Sequence, residues 1–156
     1  MIKGHTTLTY RGKMILIAHR GNLLGPKPSL ENHPSYIMKA ILSGYDVEID
    51  VWWVKDNFYL GHDSPDYKID KNFLSNRHLW CHAKNFAALG KLEDIGSHYF
   101  WHEEDDYTIT SNGFIWTYPL KSYDLNSVLV CTDLKQTKEM HKQPLYGICS
   151  DFVGEL

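Results

Sequence analysis

The chain has 156 residues, 43% of them hydrophobic and 22% charged, enough for one buried core and too few for two comfortable domains. A formal net charge of −3 provides no basic field to draw the protein to nucleic acid, which excludes polyanion binding as its main role and favours small substrates. Cys81, Cys131 and Cys149 are widely spaced, without a Cys-x-x-Cys pair. No apolar run reaches the roughly 18 residues of a membrane span, so the expectation is a cytoplasmic protein with reduced thiols.

Residues 1–13 are polar, with Thr6, Thr7 and Thr9 in weak alternation, and read as an N-terminal extension before a single domain over 14–156. Ile15 to Ala18 form a continuous apolar run ending at His19, the pattern of a strand covered on both faces. Gly25-Pro26-Lys27-Pro28 breaks the chain. From Pro34, suited to a first helical position, Tyr36, Ile37, Ala40 and Ile41 recur at helical spacing until Gly44. Tyr45 to Trp53 alternates: Val47, Ile49 and Val51 on one face, Asp46, Glu48 and Asp50 on the other. Asp56-Asn57 reads as a turn, Phe58 to Leu60 as a returning strand, and Gly61-His62-Asp63 as its end.

A polar connection leads to a strand at Leu79 to Cys81, on which His78, Trp80, His82 and Lys84 alternate with Leu79, Cys81 and Ala83. A short helix from Phe86 should stop at Gly90. Further strands are expected at Tyr99 to Trp101, Phe114 to Trp116, Val128 to Val130 and Tyr146 to Ile148, with a helix over Leu134 to His141 between the last two. Strands separated by helices or loops indicate an α/β fold with a mainly parallel sheet.

His19, Arg20, Glu48, Asp50 and Lys84 fall at or near the ends of predicted strands, where parallel barrels gather functional groups. Glu48 and Asp50 share one strand face roughly 7 Å apart along the chain, close enough to reach one hard divalent cation. An isolated Glu-x-Asp is more often a solvated strand face, but the neighbouring strand ends in the polar pair His82 and Lys84. His19 and His62 have the ionisation range of a general acid and base, and Arg20 has a planar fork suited to phosphate oxygens. Each residue alone has an ordinary surface reading; the combination is what points to chemistry. Trp52, Trp53, Trp101 and Trp116 read as core aromatics first and cleft walls second.

The ordered motifs His19-Arg20-Gly21, Glu31-Asn32, Glu48-Ile49-Asp50 and His62-Asp63 resemble the glycerophosphodiester phosphodiesterase family, within the phospholipase C-like phosphodiesterases. They cover about the first two fifths of the chain; Gly147 to Asp151 faintly resembles the family's last barrel strand. The resemblance implies a (β/α) TIM-type barrel hydrolase for small glycerophosphodiester-like substrates. His19 and His62 would be the catalytic pair, Arg20 and Lys84 the phosphate contacts, and Glu31 and Asn32 supporting residues. Glu48 and Asp50 would hold a divalent cation (magnesium, calcium or manganese), and a substrate hydroxyl beside the phosphate would be able to attack first.

Two departures stand out. His82 occupies the place of the family's third carboxylate, which moves metal preference from calcium toward manganese or zinc, unless Glu103 or Glu104 completes the site. The chain is also short for a complete barrel of roughly 200 residues or more, so several outer helices must be missing or shortened. The apolar surface left bare favours a homodimer. The competing readings are a degenerate barrel that binds a phosphorylated ligand or a protein partner without catalysis, and a zinc site built on His82 and His102.

Overall fold

The computed structural model describes residues 12–156, so the N-terminal extension lies almost wholly outside the described residues. The described chain runs β1 (Ile15–His19), α1 (Pro34–Leu42), β2 (Asp46–Val54), β3 (Asn57–Leu60), β4 (Tyr67–Ile69), β5 (Leu79–Ala83), α2 (Phe86–Asp94), β6 (Tyr99–Phe100), β7 (Tyr107–Ile109), β8 (Ile115–Thr117), β9 (Ser127–Cys131), α3 (Leu134–Met140) and β10 (Gly147–Ser150). Short 3-10 turns lie at Phe73–Ser75 and Val153–Glu155.

Strands β6, β5, β2, β1, β10, β9 and β8 pair in that order, every pair parallel. The long β2 pairs with β1 and β5, then runs on to form a hairpin with β3, to which β4 adds an antiparallel edge. At the other end β7 pairs antiparallel with β8. The sheet curls until its ends approach: Ser111 N donates to Tyr99 O at 2.8 Å, and the rings of Phe100 and Trp116 stack with centroids 4.5 Å apart. The result is a truncated, barrel-like α/β fold.

Alternation along the strands sorts the side chains into two layers. Inside the curl, Ile17, Trp80, Phe100, Trp116, Val128 and Cys149, from six of the seven parallel strands, form one buried cluster. β2 sends its carboxylates into this interior, with Glu48 in register with Trp80. Outside, Val47, Ile49, Val51, Leu79, Cys81 and Ala83 pack under Ile37 and Ala40 of α1 and Ala88 and Leu92 of α2. A smaller group of Leu129, Cys131 and Ile148 is joined by Met140 of α3. Each fully buried aliphatic of this kind contributes about 1.5–3 kcal/mol, which is how the shortened scaffold retains a core.

Several elements depart from the sequence expectation. Helix α2 passes through Gly90 and continues to Asp94. A mid-helix glycine costs about 1 kcal/mol, and the complete burial of Leu92 beyond it outweighs that. The β2–β3 turn is Lys55-Asp56, one residue earlier than expected, both with positive φ (47° and 59°) as a two-residue hairpin turn demands. Strands β4 and β7 were not expected; both lie on antiparallel edges, with mostly polar surroundings and no long apolar run. Where crossovers lack helices, Ile109 and Leu120 are exposed. Among the described residues no helix is long and apolar enough to cross a membrane.

At the amino-terminal end of the strands, Asp46 is spent on structure: it pairs with His78 Nδ1 at 2.7 Å and accepts from Trp80 Nε1 at 2.9 Å. His98 lies tilted against Trp80 with ring centroids 4.2 Å apart, and its buried Nε2 has no hydrogen-bond partner. Burial pushes the His98 imidazole down to about 4, against an opposing pull from Asp46. Because the unfolded imidazole protonates near 6.5, the unfolded state takes up the proton first on acidification. The stability contributed by neutral His98 is therefore present above about pH 6.5 and lost as pH falls toward about 4. The slope is at most about 1.4 kcal/mol per pH unit, reduced by partial solvent exposure. Urea unfolding of His98→Phe should show a smaller stability loss than wild type between about pH 7 and about pH 5; equal losses would contradict this.

Candidate active site

β1 ends at His19 because the chain turns sharply through Arg20 (φ 54°) and Gly21 (φ 92°). The left-handed Arg20 is held by its N–H donating to Glu48 O at 2.9 Å and by its carbonyl accepting from Asn32 N at 3.1 Å. A non-glycine residue in this conformation is strained, and such strain collects at functional sites. The turn aims His19 and the Arg20 guanidinium into the mouth of the curl.

The His19 ring is oriented from the far end of the chain. Its Nδ1 lies 2.9 Å from Asp151 Oδ1, so Nδ1–H donates to the carboxylate and Nε2 is left toward the cavity, 3.8 Å from Glu48 Oε2. Burial lowers the His19 pKa, but the Asp151 hydrogen bond and the Glu48 charge outweigh it, and the net shift is upward. Asp151 is in turn held by Asn22 Nδ2 at 2.8 Å. The other hydrogen of Asn22 Nδ2 goes to Glu31 Oε1 at 2.9 Å, and Glu31 Oε2 accepts from Arg20 Nη1 at 3.1 Å.

Glu48 (3% exposed) and Asp50 (0%) are buried on the inner face of β2, which overturns the solvated-face alternative. Asn32 clamps Asp50 twice, its Nδ2 donating to Oδ2 at 2.8 Å and its Oδ1 accepting from Asp50 N at 2.9 Å. Arg20 Nε lies 3.1 Å from Asp50 Oδ2, and Lys84 Nζ 3.7 Å from Oδ1. On β5, His82 Nδ1 points at the same carboxylates, 3.2 Å from Asp50 Oδ1 and 3.8 Å from Glu48 Oε1. Burial raises the Asp50 pKa, but its close contact with the His82 ring, the Arg20 charge and the hydrogen bond from Asn32 together hold it well below the usual carboxylate range. Glu48 goes the other way, raised by burial and by the charge of Asp50.

One ligand atom each from Glu48, Asp50 and His82 lies within 4.8 Å of the others. Glu48 Oε2 and Asp50 Oδ1 are buried without a hydrogen-bond partner. Two buried, like-charged oxygens of this kind are costly unless a cation satisfies them, so this donor set fits a divalent ion. Glu103 and Glu104 are exposed and lie outside the cluster, as does His102.

The site opens into a cavity of about 160 Å³ whose lining includes His19, Glu48, His62, His82, Trp116 and Tyr118. It shares His19, Arg20 and His62 with an outer cleft of about 480 Å³ that reaches Pro28, Asp63 and Tyr67. A comparable groove of about 500 Å³ beside Trp53 and Lys68 has no such convergence of chemical groups. Seven parallel strands thus form a curl whose ends approach, with a polar mouth at their carboxyl-terminal side. The chain shares its fold with a glycerophosphodiester phosphodiesterase. That crystal structure, from Thermotoga maritima, matches with a TM-score of 0.60 over 94% of this chain and 98% of the other, at 16% identity. The sequence matches no family model and no curated protein.

All nine residues singled out from the sequence lie in or beside this mouth, although His62 arrives on a loop and not on a strand. Its ring is half exposed, with Nδ1 2.7 Å from Asp63 Oδ1. Gly61 sets that loop: at φ 150° a Cβ there would collide with Ser64 O and sit 2.8 Å from Asp66 Oδ2, while its carbonyl accepts from Trp52 Nε1 at 2.6 Å. Gly61→Ala is therefore expected to cost about 1–3 kcal/mol in urea unfolding and to lower turnover at least about tenfold by displacing His62. Wild-type turnover in the variant would show that His62 has no part in the reaction.

Sequence reasoning missed Asn22 and Asp151 as site residues. Asp151 carried a usable signal, a carboxylate directly after an apolar strand, as His19 follows Ala18. Asn22 carried none beyond that of a turn.

Proposed function

We propose that the protein is a metal-dependent phosphodiester hydrolase for a small glycerophosphodiester-like substrate. The observation that carries this is the pair of buried carboxylate oxygens without a hydrogen-bond partner, beside an imidazole whose tautomer is set by Asp151, on a fold shared with a phosphodiesterase. Glu48, Asp50 and His82 would hold the ion, whose charge would offset that developing on the phosphate oxygens. Arg20 and Lys84, both beside Asp50, would bind those oxygens. His19 Nε2 takes the proton of the attacking hydroxyl as its oxygen bonds to phosphorus. His62 gives a proton to the leaving alkoxide as the ester P–O bond breaks. Where the attacking hydroxyl belongs to the substrate, the product is a cyclic phosphate that water opens in a second, equivalent step.

The test is hydrolysis of a chromogenic phosphodiester by protein supplied with divalent ions. The reading requires turnover that a chelator stops and that Glu48→Gln abolishes. A second reading, binding of a phosphorylated ligand without turnover, is favoured by the two cations, Arg20 and Lys84, beside Asp50, which offset its charge without an ion. Calorimetric binding of a phosphodiester with no product formed would select it. The exposed Ile109 and Leu120, on the side lacking helices, support a homodimer, which sedimentation at micromolar concentration would test.

A further inference from the structure

We infer that His82 tunes the ion site to a first-row transition ion of the manganese-to-zinc class and against calcium, an inference that rests on the proposed divalent site and names its occupant. His82 Nε2 lies 3.2 Å from the main-chain carbonyl of His102. A carbonyl only accepts, so Nε2 carries the ring proton and donates it. This leaves Nδ1 as the atom that meets Asp50 Oδ1 at 3.2 Å and Glu48 Oε1 at 3.8 Å. An imidazole anchored through one nitrogen to a carbonyl, with the other turned into a cluster of acidic donors, is the arrangement that fixes a metal-ligating histidine.

The ring plane is fixed as well. His82 stacks on Phe100 with centroids 5.1 Å apart and planes 10° from parallel, and Phe100 is itself stacked on Trp116. The nitrogen is thus preorganised toward the two carboxylates by packing on one side and a hydrogen bond on the other. A bare lone pair facing two carboxylates is repulsive, and a cation shared by all three donors relieves it. Arg20 and Lys84 reach Asp50 but neither is paired with Glu48, whose Oε2 stays without a hydrogen-bond partner.

The donor set then decides the kind of ion. Calcium takes six to eight oxygen ligands, whereas the described cluster offers two carboxylates and one imidazole. Imidazole nitrogen suits zinc and its first-row neighbours, and carboxylates extend the range to manganese.

The experiment titrates metal-free protein separately with Mn(II), Zn(II) and Ca(II) by calorimetry, alongside His82→Glu, His82→Gln and Glu48→Gln. Wild type should bind one Mn(II) or Zn(II) at least about tenfold more tightly than Ca(II). Both His82 variants should lose about 10–100-fold in Zn(II) affinity, and His82→Glu should gain Ca(II) affinity. Pulsed electron paramagnetic resonance of the Mn(II)-loaded wild type should show coupling to one histidine nitrogen, a readout independent of how the variants fold. If ions bind in a Glu48-dependent way but without that coupling and with Ca(II) as tight as Zn(II), the inference about His82 falls and the proposed hydrolase keeps its metal. If no ion binds, or if Zn(II) binding survives Glu48→Gln and so belongs to surface histidines, the divalent site and the inference fall together.

Discussion

Replacing His19 by asparagine is expected to lower kcat by about 10²- to 10⁴-fold with KM changed by no more than about threefold. The asymmetry follows from the geometry. The His19 ring gives Nδ1–H to Asp151 and faces the cavity with Nε2, so under the proposed mechanism what is lost is the proton acceptor, while the proposed phosphate contacts Arg20 and Lys84 remain. Asp151→Asn should produce a smaller fall, about 10- to 10³-fold, because the imidazole survives but loses the carboxylate that fixes its tautomer and favours its charged form. The double variant should be no worse than His19→Asn alone, since Asp151 acts through the ring it orients. Steady-state kinetics on a chromogenic phosphodiester measures all three; additive losses would mean that Asp151 acts on something other than His19.

The readable part of this site was the part carried by local pattern. A strand that ends in His19, and a strand whose alternation puts Glu48 and Asp50 on one face, are both visible within nine residues, and their burial follows once β2 is flanked by β1 and β5. The fold class was readable for the same reason, as apolar runs separated by helical spacing. What the pattern did not show depends on partners remote in sequence. Asp151 meets His19 across 132 residues, and no local feature of either announces the other. The Lys55-Asp56 turn has neither glycine nor asparagine to mark its positive φ, and is imposed by the pairing of Trp53 with Phe58. Gly90 looks like a helix end until Leu92 is seen to be buried. That several outer helices are missing or shortened followed from length alone, but which crossovers lost them did not. That outcome depends on the ends of the curl meeting through Tyr99 and Ser111, a main-chain contact that no side-chain pattern announces.

Asn22→Leu is expected to destabilise the protein by about 2–5 kcal/mol and to reduce turnover at least about tenfold in the fraction that remains folded. Asn22 is fully buried, and its amide is saturated. Nδ2 donates to Glu31 Oε1 at 2.9 Å and to Asp151 Oδ1 at 2.8 Å, while Oδ1 accepts from Lys27 N at 3.1 Å and from the Tyr36 hydroxyl at 3.2 Å. Leucine has a similar volume, so the change leaves no cavity. It removes one hydrogen bond each from Glu31 and Asp151, which keep Arg20 and His19, and takes the acceptor from the Lys27 N–H and the Tyr36 hydroxyl; such losses cost about 1–3 kcal/mol each where solvent cannot enter. Glu31 holds Arg20 and Asp151 holds His19, so the same loss loosens the proposed phosphate contact and the proposed base together. KM should therefore rise along with the fall in kcat, unlike the His19→Asn case, where kcat alone responds. Asn22→Asp separates the two parts of the argument, because it keeps the shape and the Lys27 N–H acceptor but sets a third carboxylate against Glu31 and Asp151. Its kinetic defect should match or exceed that of leucine even where calorimetry shows it folded, and a folded Asn22→Asp with wild-type kcat and KM would mean that Asn22 supports the fold without positioning the site.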